Sequence, residues 1–288
     1  IVSNGGATAY RSGLQKGQET MAQTISRQAL SGEELDVVWN LTLAANLISA
    51  DVAYGDIEAI QAVLGVKKVI LEIRYEPAVY ATGEADPNMA TSGEMIGTSA
   101  AYAAGYTGAG MRIAVIDTGI DTDHQSFDAG AFDYSLEEQA SNAGKTVADY
   151  HLLNPAEINR VMDQLHVTGV TSDQLYVNSK IPFGYNYVDD DLDITHDNDT
   201  QGEHGSHVAG IASANRYLKR GEEYVSAGDA VGVVGNAPDA QLIVMKVFGN
   251  GGGAYDSDYM AAIEDAIILN CDSVNLSLGS SNAGMTTN

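Results

Sequence analysis

The strongest constraint on this chain is an alternation that repeats through its second half: an apolar run, a stretch with helical spacing, another apolar run. Met111 to Ile116 and Gln241 to Phe248 are apolar runs of strand length, and Val231 to Val234 is a shorter one. Ser257 caps a segment whose Tyr259, Ala262, Ile263, Ala266 and Ile267 share one helical face, and Ser273 to Leu278 returns to strand character. Consecutive apolar residues need cover on both faces of a strand. The alternation therefore predicts an α/β fold with a parallel sheet and helices packed against it.

Residues 1 to about 80 read differently, as a small α+β unit. Leu14, Met21 and Ile25 recur at helix-compatible spacing, Val37, Trp39 and Leu41 alternate as in a strand, and Leu47 to Val52 is a second strand. Asp56 is placed to cap a helix carrying Ile57, Ile60 and Leu64, which Gly65 stops. Val69, Leu71, Ile73 and Tyr75 then alternate up to Pro77. The polar, small residues of 81–94, with Gly83 and Asp86-Pro87-Asn88, form the expected linker and the most cleavable segment. The second domain is expected over 95–288, with an insertion at about 128–180.

Composition narrows the partners. Among 288 residues, 39 are acidic and 14 are Lys or Arg, a formal net charge of −25. A chain so acidic has no basic footprint for bare nucleic acid or an anionic membrane. No run reaches the ~18 apolar residues of a membrane span. Cys271 is the single cysteine, which excludes an intrachain disulfide and a cysteine zinc site. The chain opens at Ile1 on a polar stretch without an initiator Met, as expected of a processed product.

Three stretches carry chemistry. Ile113-Ala114-Val115-Ile116-Asp117-Thr118-Gly119 is a buried-type strand that ends in Asp, which puts a carboxylate at the carboxyl edge of the sheet. Gly202-Glu203-His204-Gly205-Ser206-His207-Val208-Ala209-Gly210 places a histidine at a helix start among small residues that permit close packing. A carboxylate bonded to one imidazole nitrogen fixes the tautomer and frees the other to take a hydroxyl proton. Val274-Asn275-Leu276-Ser277-Leu278-Gly279-Ser280 is an apolar strand able to bind an extended peptide through its main chain. Each stretch alone reads more simply as structural.

Together, in this order, the three stretches resemble the subtilases, the subtilisin-like serine peptidases. The resemblance implies a doubly wound subtilisin-like sheet, only part of it within this chain. It assigns Asp117 as the carboxylate that orients the imidazole and His204 as the general base. Ser277, Leu278 and Gly279 become the main-chain wall of the primary specificity pocket, and Gly251, Gly252 and Gly253 fall on the substrate-pairing edge. Ala50 to Ile60 and Gly65 to Val69 look like the family's propeptide, a folding chaperone and inhibitor. Tyr75-Glu76-Pro77, the long interval from Asp117 to His204, and Lys180 to Tyr187 look most like cell-envelope proteinases of the lactocepin type. The resemblance thus implies a secreted or cell-surface serine endopeptidase, acting on protein or peptide, in zymogen or incompletely matured form.

The family also needs a Gly-Thr-Ser nucleophile motif and an oxyanion-hole Asn after the Ser277 region, and neither occurs before Asn288. Gly97-Thr98-Ser99-Ala100 imitates the motif but precedes Asp117, where the family's first catalytic-domain helix begins. The expectation is a second polypeptide that carries Ser and Asn, produced by a cut in the loop Ser280 to Asn288. A binding module without activity is the alternative reading.

The chemistry so implied needs no cofactor, but a structural calcium ion deserves a test. Asp189, Asp190, Asp191, Asp193, Asp197 and Asp199 form an acidic cluster, read as a solvated loop. An EF-hand register from Asp197 places Gly202 at position six and Val208 where a bidentate Glu is required, so it fails. Ser126 also falls where the family's usual calcium-binding Asp would lie. His204 and His207, three apart, lack the Glu placement of a zinc-peptidase helix. Gly108-Ala109-Gly110 and Gly251-Gly252-Gly253 lack the context of a phosphate cradle.

Overall fold

The computed structural model describes residues 4–77, 93, 95–197, 199 and 202–279. The strands are β1 (Asp36–Leu41), β2 (Leu47–Asp51), β3 (Arg74–Pro77), β4 (Arg112–Asp117), β5 (Phe183–Asn186), β6 (Tyr217–Arg220), β7 (Glu223–Ser226), β8 (Gln241–Lys246), β9 (Ala254–Tyr255), β10 (Ser273–Leu276) and β11 (Leu278–Gly279). The helices are α1 (Gly5–Gln28), α2 (Ile57–Gln61), α3 (Thr98–Ala103), α4 (Ala129–Asn142), α5 (Pro155–Asn159), α6 (Ser172–Leu175), α7 (His204–Ser213), α8 (Ala227–Val231) and α9 (Asp256–Ile268).

In the N-terminal unit, Asn4 caps α1 by accepting the Gly6 N–H at 2.9 Å. The helix packs with α2 and the antiparallel pair β1–β2 around Ile25, Leu35, Ile60 and Val63. Two expectations need correction. Asp56 makes no side-chain cap bond, α2 ends at Gln61, and Leu64 stands outside it, 92 % exposed. Of the alternating stretch from Val69, only β3 is strand, and it pairs with β9 and β11 rather than within its own unit. The linker 81–94 falls outside the described residues except for residue 93.

The alternating half forms a parallel sheet in the order β10-β4-β8-β5. Both faces are covered, as the apolar runs require. Ala114, Ile116, Ile243 and Met245 face a core shared with Ala262 and Ala266 of α9, whereas Val115, Leu242 and Val244 face Ala209 of α7. From β4 the chain winds to the β5 edge, returns to β8, then crosses to β10. Connections thus leave the central pair in opposite directions, so the carboxyl ends of β4 and β8 border a switch in winding, where such folds place their sites. The β10 edge leaves Val274 and Leu276 about two-fifths exposed.

The N-terminal unit joins this core directly. Trp39 and Leu41 from β1 share it with Val161, Leu165 and Val167 of the expected insertion. That second cover changes the buried stripe of α9. Ala262 and Ala266 are buried as expected, but Ile267 is exposed while Glu264 and Asp265 are fully buried. Tyr255, not Ser257, holds the N-cap position; Ser257 Oγ instead meets Ser49 Oγ at 3.0 Å. The expected strand Ser273 to Leu278 breaks at Ser277, which separates β10 from β11.

Candidate active site

Asp117 is the last residue of β4 and His204 the first of α7, and the fold brings them together. His204 Nδ1 lies 2.7 Å from Asp117 Oδ1. The same oxygen accepts the Thr118 N–H at 2.7 Å, while Oδ2 is buried without a hydrogen bond. Burial pushes the Asp117 carboxyl above the usual carboxylate range, against the opposing pull of His204 and the Thr118 N–H. Nε2 of His204 has no hydrogen bond among the described residues.

Small residues make the approach possible. Gly119 adopts φ +103°, open to glycine and strained for other residues, and a Cβ there would run into the Ile194 carbonyl. A Cβ on Gly205 would run into the Gly119 carbonyl. The two turns are locked together where Thr118 Oγ1 accepts the Gly205 N–H at 2.9 Å. Ser206 Oγ accepts the Asp121 N–H at 2.7 Å and meets His196 Nε2 at 3.2 Å.

Lys246 is a contributor that the sequence pattern left inside a strand motif. It pairs in register with Asp117, and its ammonium donates to the Thr195 carbonyl at 2.6 Å and to the Asp199 carboxylate. It thereby anchors the loop that leads into α7. Nothing in the apolar run around it signals this, because both partners lie about fifty residues away.

The expected peptide-pairing residues divide. Leu278 and Gly279 pair antiparallel with Pro77 and Glu76. Ser277 lies between strands, and its hydroxyl donates to Asn275 Oδ1 at 2.9 Å. Gly251, Gly252 and Gly253 do not form the opposite edge: Ala254 and Tyr255 pair with Tyr75 and Arg74 instead. The Arg74 guanidinium donates to the carbonyls of Gly251 and Gly252 at 3.4 and 2.8 Å, and a Cβ on Gly253 would collide with Arg74. The Tyr75 ring meets Tyr259 edge-on at 5.6 Å.

The acidic cluster is solvated as expected at Asp189, Asp190, Asp191 and Asp197, which are exposed, and is also tied down at several points. Thr168 and Tyr185 donate to Asp190, Thr195 to Asp193, and Lys246 to Asp199. Among the described residues no three His, Cys, Asp or Glu side chains gather as a cation site. His207 is exposed and joins no such group. Thr98 Oγ1, beside Ser99 on α3, donates to Asn236 Oδ1 at 2.8 Å.

A parallel sheet with a strand-end carboxylate, bonded to an imidazole at the start of a helix, defines an α/β protein equipped to polarise histidine. The chain belongs to the subtilase family, whose model matches residues 108–288. It is 31 % identical over 247 residues to the PI-type proteinase of Lactococcus lactis subsp. cremoris, covering 84 % of this chain and 11 % of that protein. Identity to the minor extracellular protease Vpr of Bacillus subtilis is 26 % over 248 residues, 84 % of this chain and 23 % of Vpr. The C5a peptidase of Streptococcus pyogenes is 30 % identical over 176 residues, 60 % of this chain and 12 % of that protein. The chain thus spans between about a tenth and a quarter of the length of these relatives. Among the described residues no helix is long and apolar enough to cross a membrane.

Proposed function

We propose that this chain carries the acid–base half of a serine endopeptidase, with its own N-terminal unit bound across the substrate groove. The observation that carries this reading is the 2.7 Å contact between His204 Nδ1 and Asp117 Oδ1. Asp117 fixes the tautomer and orientation of the ring, leaving Nε2 to accept a proton from an attacking serine hydroxyl. The serine oxygen then bonds to the substrate carbonyl carbon, and His204 returns the proton to the amine as the peptide bond breaks. Water hydrolyses the acyl-enzyme by the reverse use of the same imidazole. The step needs no metal or organic cofactor.

In this reading the serine and the oxyanion-hole Asn come from a second polypeptide, whose strands extend the sheet beyond the half-exposed β10. Residues 4–77 act as a propeptide, and β3 lies where a protein substrate would lie, between β9 and β11. The form described is then a zymogen or incompletely matured enzyme, secreted or held at the cell surface. The name of the extracellular relative Vpr supports that location.

A fluorophosphonate probe on the purified protein with any co-purifying polypeptide tests the reading. Serine labelling that is lost in His204→Ala supports it. No labelling after removal of the N-terminal unit favours a binding module without activity.

A further inference from the structure

The N-terminal unit has another contact with the rest of the chain, built on the expected insertion, and His166 is its centre. The His166 backbone N–H donates to both oxygens of Asp265 at 3.0 Å, and its Nδ1 lies 2.8 Å from Asp265 Oδ1. On its other side, Nε2 lies 3.4 Å from the Asn40 carbonyl and 3.5 Å from Glu264 Oε2. The Trp39 ring stands edge-on to the imidazole at 5.9 Å. Two residues earlier, Gln164 receives Arg11 of α1 through its carbonyl at 2.9 Å and its Oε1 at 3.5 Å. The same guanidinium donates to Thr42 Oγ1 at 2.9 Å.

We propose that Gln164–His166 is a recognition ledge for the chain's own N-terminal unit, and that a cationic His166 ties this docking to pH. A neutral imidazole has one N–H and serves either Asp265 or the Asn40 carbonyl; the cation serves both. It also balances two carboxylates, Glu264 and Asp265, that are fully buried. Those are the charged groups in contact with the ring among the described residues; β1 offers the Asn40 carbonyl and Trp39, and Tyr187 reaches Asp265 Oδ2 at 2.8 Å.

Burial draws the imidazole down, but the Asp265 hydrogen bond and the charges of Asp265 and Glu264 outweigh it, so His166 stays protonated above the ordinary histidine range. Undocking rehydrates the ring, which favours the cation, but the docked geometry favours it more: with Nδ1–H given to Asp265, a neutral docked ring would set the Nε2 lone pair against both the Asn40 carbonyl and Glu264 Oε2, a repulsion that undocking relieves. The docked state thus binds it more tightly, and docking loosens as pH rises through the docked value. Asp258 adds the same sign in a lower window. Burial lifts its carboxyl to about 6, and the Trp39 indole N–H donates to it at 2.9 Å.

Amide hydrogen exchange on the full chain, corrected for intrinsic rates, tests this between pH 5 and 9. We expect exchange of Trp39–Ala44 to accelerate about tenfold for each pH unit of difference between docked and undocked His166. Amides of β4 and β8 should remain protected. Asp258→Asn should remove only the part of the change that is complete near pH 6, and His166→Gln the part that continues above it. Arg11→Met should loosen Trp39–Ala44 equally at every pH. A His166→Gln profile that follows the parent overturns the proposal. Should that variant fail to fold, nuclear magnetic resonance titration of His166 in the parent decides: a midpoint that does not mark the pH at which the loosening levels off overturns it equally. The test reads no activity, so it is separate from the peptidase reading.

Discussion

Glu264 receives the Thr42 backbone N–H at both its carboxylate oxygens, 2.9 and 3.1 Å away. Oε1 also accepts the N–H groups of Leu43 and Ala44 at 2.5 and 2.7 Å. One buried charge on α9 thereby satisfies the whole turn that follows β1. Charge-assisted bonds of this kind contribute roughly 1.5–3 kcal/mol each and are not additive. Glu264→Ala should therefore lower the free energy of opening the N-terminal unit by about 3 kcal/mol, roughly a hundredfold in amide exchange at Thr42–Ala44. Less than a tenfold change would show that apolar burial of Trp39 and Leu41 dominates.

Gly205→Ala should drive α7 away from the turn at Gly119, since the added methyl runs into its carbonyl. Overpacking of this sort costs about 1–3 kcal/mol. Gly210 lies on the same helix with open space around it, so Gly210→Ala should stabilise by up to about 1 kcal/mol. Urea midpoints of the two variants should move in opposite directions.

If the serine endopeptidase reading holds, Asp117→Asn in the mature assembly should reduce kcat by about 10⁴-fold through the wrong tautomer, as in related relays. His204→Ala should reduce turnover at least as far. Steady-state kinetics on a peptide substrate measures both, and a loss below tenfold in either contradicts the assigned role.

Lys180 gives a pH dependence away from the site. Its ammonium is fully buried and donates to Ser213 Oγ and to the carbonyls of Pro238 and Ala240 at 2.7–2.8 Å. Burial draws its pKa down to about 7. Between that value and roughly 10.4 in the unfolded chain, the unfolded state binds the extra proton, so stability from this group rises with pH. The parent should gain a few kcal/mol relative to Lys180→Met across pH 7–10, read from denaturant titrations. A difference that stays flat with pH would mean the lysine is charged throughout.

The sheet was legible because its signal is local. The apolar runs at Ile113–Ile116 and Gln241–Val247 demand cover on both faces, whichever residues supply it. Asp117 and His204 were legible through motifs several residues long. The pairing of β3 was not, because Arg74 and Tyr75 pair with Tyr255 and Ala254 rather than with the nearby glycines, a choice made between segments about 180 residues apart that leaves no local signal. His166 escaped notice for a similar reason. Its partners Asn40 and Asp265 lie 126 and 99 residues away, and a lone histidine in an insertion has no periodicity to betray it. Leu64 shows the opposite failure: helical spacing was present, but the helix stops at Gln61 and leaves Leu64 exposed.

The position of β3 as the middle strand between β9 and β11 has a kinetic consequence. Its two borders are used in succession, Arg74 and Tyr75 against β9 and then Glu76 and Pro77 against β11, so the strand is able to peel from one border while the other still holds. On the propeptide reading, release proceeds by steps, and a competing peptide gains its first foothold by matching a single border.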